Sequence, residues 1–164
     1  MTRGLVPFVA VVLVAAAAAA QSPEPGSLAI AGAVDRPLAL HMSDLEKMPR
    51  TRVEVKEHDG SSATYEGVAL AELLKAAGAP MGEKLRGAAM ASYVLARAKD
   101  GYRVVFAMPE LDPSFTDAKV IVAYSRDGKP LAEGQGPLKL VAPQDKRPAR
   151  WVRMLERIEV VKVP

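Results

Sequence analysis

Short apolar stretches alternate with polar and turn-forming residues along most of the chain. Period-two alternation, or a short apolar run bounded by turn residues, is typical of β-strands. The strands predicted in this way are 28–34, 38–41, 51–57, 63–66, 93–98, 102–108, 120–124, 138–141 and 152–163. Tight turns separate several of them, with Lys99-Asp100-Gly101 the strongest hairpin signal. The pattern predicts an α+β domain over residues 28–164 with a mostly antiparallel or mixed sheet.

One segment has the periodicity of a helix. Residues 68–77 place Leu70, Leu73 and Leu74 on one face, and Gly78 is suited to the left-handed C′ position that ends a helix. Prolines bound a shorter helical turn at 109–113, whereas 85–92 fits either a helical turn or irregular chain.

A second, shorter helix is predicted from a capping box. Ser43 can cap its N-terminus while Glu46 reaches back, and Pro49 stops it.

On the predicted strand 102–108, Tyr102 alternates with residues 104 and 106, which favours packing of its ring against the core.

The first twenty residues have the composition of a secretory signal peptide. Arg3 supplies a positive start, residues 5–14 are apolar, and small residues lead to a cleavage site after Ala20. An uncleaved membrane anchor is the alternative, because the apolar run is nearly long enough to span. Residues 21–27 read as a flexible linker. A periplasmic or secreted protein is therefore expected.

Composition restricts the chemistry. The chain has no cysteine, which excludes disulfides, thiolate ligands and a cysteine nucleophile. It carries 22 Lys and Arg against 19 Asp and Glu, and loses one cation with Arg3 if the signal peptide is removed. So small a surplus does not indicate a nucleic-acid partner.

No catalytic or metal-binding constellation is recognisable. His41 and His58 are the only histidines and lack a third ligand, so no metal site is predicted. The sequence has no nucleophile elbow and no phosphate-binding glycine loop. The acids that could form an acid–base set are more typical of structural roles in turns; they are Asp100, Glu110, Asp112 and Asp117. Catalytic residues remain unknown.

Cations concentrate around the only tryptophan, Trp151. They are Lys146, Arg147, Arg150, Arg153 and Arg157, directly after an apolar stretch bounded by Pro137 and Pro143. Guanidinium groups beside an indole are suited to an anionic or heteroaromatic ligand. A solvated, charged edge strand with Trp151 packed inward explains the same residue types.

The order of segments resembles the oxidoreductase molybdopterin-binding domain family, which includes the sulfite oxidases and periplasmic methionine-sulfoxide reductase catalytic subunits. The segments that carry the resemblance are PLALHMSDLEKMP (37–49), TYEGVALAELLKAAG (64–78), KDGYRVVFAMPEL (99–111), DGKPL (127–131), GPLKLVAP (136–143) and ARWVRMLERIEV (149–160). Together they span nearly the whole chain after residue 27, in the family's order. The resemblance implies a sulfite-oxidase-like fold.

The resemblance also implies a molybdopterin cofactor, a cysteine thiolate on the molybdenum and two-electron oxygen-atom chemistry. The segment expected to hold that cysteine reads LRGAAMASYVLARAKDGY (85–102) and contains none. Lys139 matches the basic position of the family's P-L-K/R-L strand, and Arg150-Trp151 resembles the Lys-Trp pair of its closing strand. The implied cofactor-binding residues are Lys139, Lys146, Arg147, Arg150 and Trp151.

Three functions follow from these observations. The first is a domain that binds a small anionic or pterin-like ligand through that set, without molybdenum–thiolate chemistry. The second is an active molybdopterin-dependent oxidoreductase with unusual metal ligation. The third is a periplasmic interaction module that docks a partner, such as a membrane or periplasmic redox protein, and holds no small ligand.

Overall fold

Two five-stranded sheets form the domain in the computed structural model, which describes residues 26–57 and 60–163. The first, sheet A, contains β1 (Leu28–Gly32), β2 (Leu38–Leu40), β5 (Tyr93–Ala98), β6 (Arg103–Ala107) and β10 (Leu155–Val161). Its strand order is β2-β1-β10-β5-β6. The pairing of β1 with β10 is parallel and the others are antiparallel.

Sheet B is antiparallel throughout. It contains β3 (Arg50–Lys56), β4 (Ser62–Ala69), β7 (Ile121–Arg126), β8 (Lys129–Pro130) and β9 (Lys139–Val141). The order is β3-β4-β7-β8, and β9 also pairs with β7. The predicted α+β class is confirmed, with the strands divided between two sheets.

The main core lies between sheet A and the helix α2 (Leu70–Ala76) with part of sheet B. Residues at alternate positions of the strands, including Ile30, Val94 and Val122, are fully buried there with Leu70 and Leu74. A smaller cluster covers the other face of sheet B and includes Val53, Val55, Tyr65 and Val141. Each sheet residue thus faces core or surface by its parity along the strand.

The predicted helix 68–77 begins two residues late, because β4 continues through Ala69 before α2 starts. Gly67 allows this strand to approach β7 closely, since a Cβ at that position would lie 2.0 Å from the Val122 carbonyl oxygen. Gly78 ends the helix as predicted, with a φ of +74° and with its N–H donating to the Lys75 carbonyl.

The predicted capping box at Ser43 is wrong. The short helix α1 (Met42–Leu45) begins two residues earlier than predicted, with His41 at the N-cap position. The Asp44 carboxylate accepts the His41 N–H at 2.9 Å. Glu46 has the same three-residue spacing from Ser43, and the structure uses the pair of His41 and Asp44 instead.

The last segment of the chain joins the two sheets. Val152 and Leu140 exchange backbone hydrogen bonds, and the Leu155 N–H donates to Leu138. The chain then becomes β10, which lies in the middle of sheet A. The predicted strand 152–163 is therefore two pairings in succession, first with β9 and then within sheet A.

Two further predictions have clear outcomes. Asp112 is structural: only 1% exposed, its carboxylate accepts the N–H groups of Gly82 and Ser114. Tyr102, by contrast, does not pack inward with Val104 and Phe106. It precedes β6, is 48% exposed, and its hydroxyl donates to the Ala149 carbonyl.

The irregular segments are mostly 3₁₀ turns, at Gly82–Lys84, Gly87–Ala91, Met108–Glu110 and Pro148–Arg150. The predicted signal peptide 1–20, linker residues 21–25 and His58 lie outside the described residues. Within the described part of the chain, no helix has the length and apolarity needed to cross a membrane.

Candidate functional site

The segment from β9 to Trp151 crosses the outer face of sheet B and carries the predicted site residues. β9 pairs with β7, which places the side chains of Lys139 and Val141 on the face of the smaller cluster. After β9, the chain turns through Pro143 and the 3₁₀ turn Pro148–Arg150. Trp151 then returns beside β9 and packs against both clusters.

Lys139 is a buried cation between two aromatic rings. It is 8% exposed, and its Nζ lies 5.1 Å from the Tyr65 ring centroid and 5.3 Å from that of Trp151. The same Nζ donates to Gln135 Oε1 at 2.9 Å and to the Tyr65 hydroxyl at 3.3 Å. Burial lowers the pKa of Lys139 below its ordinary value, although Glu57 acts in the opposite direction.

Tyr65 connects this lysine to a carboxylate. Its hydroxyl donates to Glu57 Oε1 at 2.9 Å, and burial, followed by this hydrogen bond, raises the pKa of Tyr65 to about 12. Glu57 also lies 3.5 Å from Arg126. The result is a continuous polar chain from Gln135 through Lys139, Tyr65 and Glu57 to Arg126.

Trp151 is fixed rather than free. Its Nε1–H donates to the Ala142 carbonyl at 2.9 Å, and its ring meets that of Tyr65 edge to face, with centroids 5.9 Å apart. The indole is partly exposed and lines two grooves, one on each side. It can therefore offer an apolar surface to a ligand without moving.

Arg150 is held by carboxylates within the domain. Two of its nitrogens donate to the two oxygens of Asp145 at 2.9 and 2.7 Å, and a third donates to Glu110 at 3.1 Å. Its guanidinium also covers the Phe106 ring at 4.3 Å. These contacts, above all those with Asp145, raise the pKa of Arg150, and they compensate its charge within the protein.

Lys146 and Arg147 are both exposed, but their places differ. Lys146 lines the larger groove beside Trp151, which has a volume of about 530 Å³. The other lining residues are Glu54, Val55, Lys56, Glu57, Pro143, Asp145 and Pro148. Arg147 does not line it.

The charges of the larger groove do not cancel. Of its three carboxylates, Asp145 is paired with Arg150 and Glu57 with Arg126. Glu54 is then the remaining acid on the lining, together with the two lysines Lys56 and Lys146. Lys139 lies behind the wall formed by Trp151 and Tyr65. A net positive field is expected inside the groove, because pairing neutralises most of the acid.

The structure brings Lys139, Lys146 and Trp151 to the same region. Arg150 is bound there to Asp145 and also to Glu110, whereas Arg147 is exposed and does not line the groove. Three residues of this region were not predicted from the sequence. Lys56 is the last residue of β3, Glu57 follows it directly, and Tyr65 lies on β4. Each reads as an ordinary residue of an alternating strand. Only the pairing of β4 with β7 and of β7 with β9 places Tyr65 over Lys139.

Metal ligation finds no support in the donor set. The sequence lacks the cysteine that the family resemblance implies, and no three His, Asp or Glu side chains gather into a candidate metal cluster within residues 26–57 and 60–163. The groove offers two lysines and the face of an indole, but it lacks the thiolate of a molybdenum–thiolate centre.

The domain thus combines two sheets with a groove that is walled by Trp151 and lined by two lysines and three carboxylates. The chain belongs to the family described as the oxidoreductase molybdopterin binding domain, whose sequence profile matches residues 16–164. This confirms the family suggested by the segment order. No curated protein matches the sequence significantly.

A solved structure agrees at the level of the fold. The chain is similar to the sulfane dehydrogenase SoxCD from Paracoccus pantotrophus, with 22% sequence identity and a TM-score of 0.65. The match covers 82% of this chain but 38% of the SoxCD chain. The sulfite-oxidase-like fold is thereby shown for this chain, which spans well under half the length of that relative.

Proposed function

We propose that the domain binds a small anionic, pterin-like ligand in the groove beside Trp151, without a molybdenum–thiolate centre. The observation that carries this proposal is the buried Lys139 amine behind the aromatic wall, 5.3 Å from the Trp151 ring centroid. A charge in this position attracts an anion on the groove side while its own ring contacts keep it fixed. Family membership supports a molybdopterin-related ligand.

Each groove residue has a defined part in this proposal. Trp151 supplies the flat surface on which a heteroaromatic ring stacks. Lys146 is exposed on the groove wall and contacts the anionic group directly, while Lys56 adds positive charge from the adjoining strand β3. Lys139 adds a fixed positive potential from behind. Arg150 is a positioning residue, because its bonds to Asp145 hold the turn that leads to Trp151.

Molybdenum chemistry would have to use ligands other than cysteine. Since no such set gathers among the described residues, we assign no catalytic step to this chain. The proposal therefore takes from the family only the binding of a pterin-like ligand and not its oxygen-atom chemistry. An active oxidoreductase with unusual metal ligation is the outcome that the following measurement would reveal.

A binding measurement tests the proposal. The protein is produced in a host that makes molybdopterin, and the purified material is analysed for molybdenum and for pterin fluorescence. In parallel, thermal unfolding is followed with phosphate, sulfate, sulfite and a phosphorylated pterin. A ligand at 100 times its Kd is expected to raise the melting temperature by roughly 10 °C.

Matched variants make this test specific. Lys146→Met and Trp151→Leu alter the groove and should reduce the shift, whereas Arg147→Met removes an equivalent exposed charge outside it and should not. If no anion or pterin stabilises the protein, or if the Arg147 variant loses as much as the Lys146 variant, groove binding is refuted. Stoichiometric molybdenum in the purified protein would instead favour the oxidoreductase.

We propose further that the protein acts outside the cytoplasm, on the composition of residues 1–20. Production with the native N-terminus in a bacterial host, followed by fractionation and N-terminal sequencing, tests this directly. A mature protein that begins at Gln21 in the periplasmic fraction is expected. Retention of the full chain in the membrane fraction would indicate an anchor.

A further inference from the structure

The outward face of sheet A carries three arginines side by side. Cross-strand register pairs Arg157 of β10 with Arg97 of β5, and Arg97 with Arg103 of β6. The alternation of buried and exposed residues along the strands turns all three away from the core. These three residues, here named the arginine row, lie on adjacent strands about 5 Å apart and so span about 10 Å.

The arginine row is poorly compensated. Arg157 lies 3.6 Å from Glu159, but the side chains of Arg97 and Arg103 have no ion pair or hydrogen bond with any residue in 26–57 or 60–163. Like charges directly opposite each other on neighbouring strands destabilise a sheet. The row therefore opposes folding stability, and a partner that supplies negative charge at this spacing would offset that cost.

An apolar surface adjoins the row. Glu159, Leu95 and Val105 form the next cross-strand line, and Tyr93 pairs with Val161 on one side and Ala107 on the other. Val105 is 49% exposed, and none of Leu95, Val105 or Tyr93 belongs to either core cluster. The face thus combines apolar residues, a tyrosine and arginines, the residue types enriched at protein interfaces.

We propose that the outward face of sheet A docks an acidic surface of a partner protein. Carboxylates on successive turns of a helix lie about 5–6 Å apart, which matches the spacing of the arginines. The adjacent Leu95 and Val105 would bury apolar surface at the centre of the contact. The apolar residues here lie on β-strands of a sheet and not on an amphipathic helix, the element that typically inserts into a lipid surface, so a second protein is the better fit.

This surface is separate from the groove beside Trp151, so the inference does not depend on the proposed ligand. The probe is a soluble helical peptide with glutamates at every fourth position and leucines between them, titrated into the purified protein. Amide NMR shifts are expected in β5, β6 and β10, and the interaction should weaken with salt. Arg97→Gln with Arg103→Gln should reduce the affinity about tenfold or more.

The control variant is Lys84→Gln with Lys119→Gln, which removes two exposed cations elsewhere. It should bind as the parent does, and the arginine variant should be at least as heat-stable as the parent because like-charge repulsion is gone. Equal loss in both variants would mean non-specific attraction and overturn the proposal. Destabilisation of the arginine variant would make the row structural, and binding to phosphatidylserine vesicles without peptide binding would assign the face to a membrane.

Discussion

Lys139 Nζ lies 5.1 Å from the ring centroid of Tyr65, whose hydroxyl it also contacts at 3.3 Å. The amine is thus buried and held by neutral groups, with Glu57 reached only through the tyrosine. Desolvation of a cation opposes folding, and neutral hydrogen-bond partners compensate it only in part. Such a lysine is a poor contributor to stability and a good candidate for recognition.

Lys139→Met should therefore separate binding from stability. The variant keeps a chain of similar length and removes the buried charge, so its free energy of unfolding should stay within about 1 kcal/mol of the parent or exceed it. Affinity for phosphate or a phosphorylated pterin should fall about tenfold, as expected for a charge several ångströms from the anion. Urea unfolding and ligand titration measure the two effects.

Lys146→Met is the matched comparison for this experiment, since it removes a lysine that is exposed on the groove wall. It should weaken binding without altering urea unfolding. A loss of more than about 3 kcal/mol in Lys139→Met, with unchanged affinity, would show that the buried amine is purely structural.

Tyr65 predicts a pH dependence of stability above pH 10. Its pKa in the folded protein is about 12, above the ordinary value of 10.0. A group with a raised pKa holds its proton more tightly when folded, so its contribution is complete below pH 10 and is lost as the pH rises towards 12. The full difference amounts to roughly 2–3 kcal/mol.

Tyr65→Phe should remove this share of the alkaline loss, although it should cost about 1 kcal/mol at pH 7 through the lost bond to Glu57. Unfolding in urea between pH 8 and about 11 compares the two proteins. Parallel pH curves for parent and variant would contradict the assignment, and tyrosinate absorbance gives an independent check on the late ionisation.

Arg150 should contribute more to folding stability than its exposed neighbour Arg147. Arg150→Met leaves Asp145 half-buried without its two-pronged partner and also removes the bond to Glu110. We expect a loss of about 1–3 kcal/mol. Arg150→Lys should recover only part of it, because an ammonium cannot bond both Asp145 oxygens in the same planar arrangement.

Arg147→Met provides the reference for the Arg150 variants, since both remove one arginine from the same turn. Its melting temperature should be nearly that of the parent. Similar losses at the two positions would indicate that net charge, not the bond to Asp145, determines the effect.

The buried carboxylate of Asp112 is expected to make the folded protein less stable at acid pH. Burial alone raises the pKa of its carboxyl, but hydrogen bonds from Ser114 and Gly82 outweigh burial and lower it below 3.8. Its contribution to stability is therefore present above about pH 4 and is lost as the pH falls through the lowered value. Melting temperatures measured from pH 6 to pH 2 should fall less steeply at the acid end in Asp112→Asn than in the parent.

At neutral pH the Asp112→Asn variant should be less stable by about 1–3 kcal/mol, because an amide is a weaker acceptor for two backbone N–H groups. The replacement Asp117→Asn, at an exposed position on the same loop, should change neither the neutral nor the acid behaviour. An unchanged acid slope in Asp112→Asn would assign the loss of stability at acid pH to other carboxylates.

Local pattern predicted the fold class, most strands and the Gly78 helix end, since these depend on residues near one another. It placed the start of α2 two residues early because Val68 and Ala69 suit a strand and a helix equally, and only pairing with Ile121 and Val122 decides between them. Ser43 was predicted as the N-cap of α1, but His41 takes that position, with its N–H bound to the Asp44 carboxylate.

The site was harder to predict because its parts come from distant segments. Lys139 and Trp151 were marked by the segment order of the family. Tyr65, Gln135 and Glu57 became partners of Lys139 only through the register of β4, β7 and β9. Arg150 was expected to face a ligand, and that role stays a prediction. In the structure its guanidinium binds Asp145. No pattern in the sequence distinguishes an arginine that binds a ligand from one that binds a neighbouring carboxylate.

The path of the final segment has a consequence for how the chain matures. Residues 152–155 complete the hydrogen bonding of β9, and β10 then fills the centre of sheet A between β1 and β5. Sheet B therefore needs residues as late as Leu155, and sheet A needs β10, which extends to Val161. Strands made early, such as β1, must wait for a parallel partner more than a hundred positions away. Until β10 has been made, β1 and β5 each keep an unpaired edge, which leaves these two strands open to aggregation or to capture by chaperones.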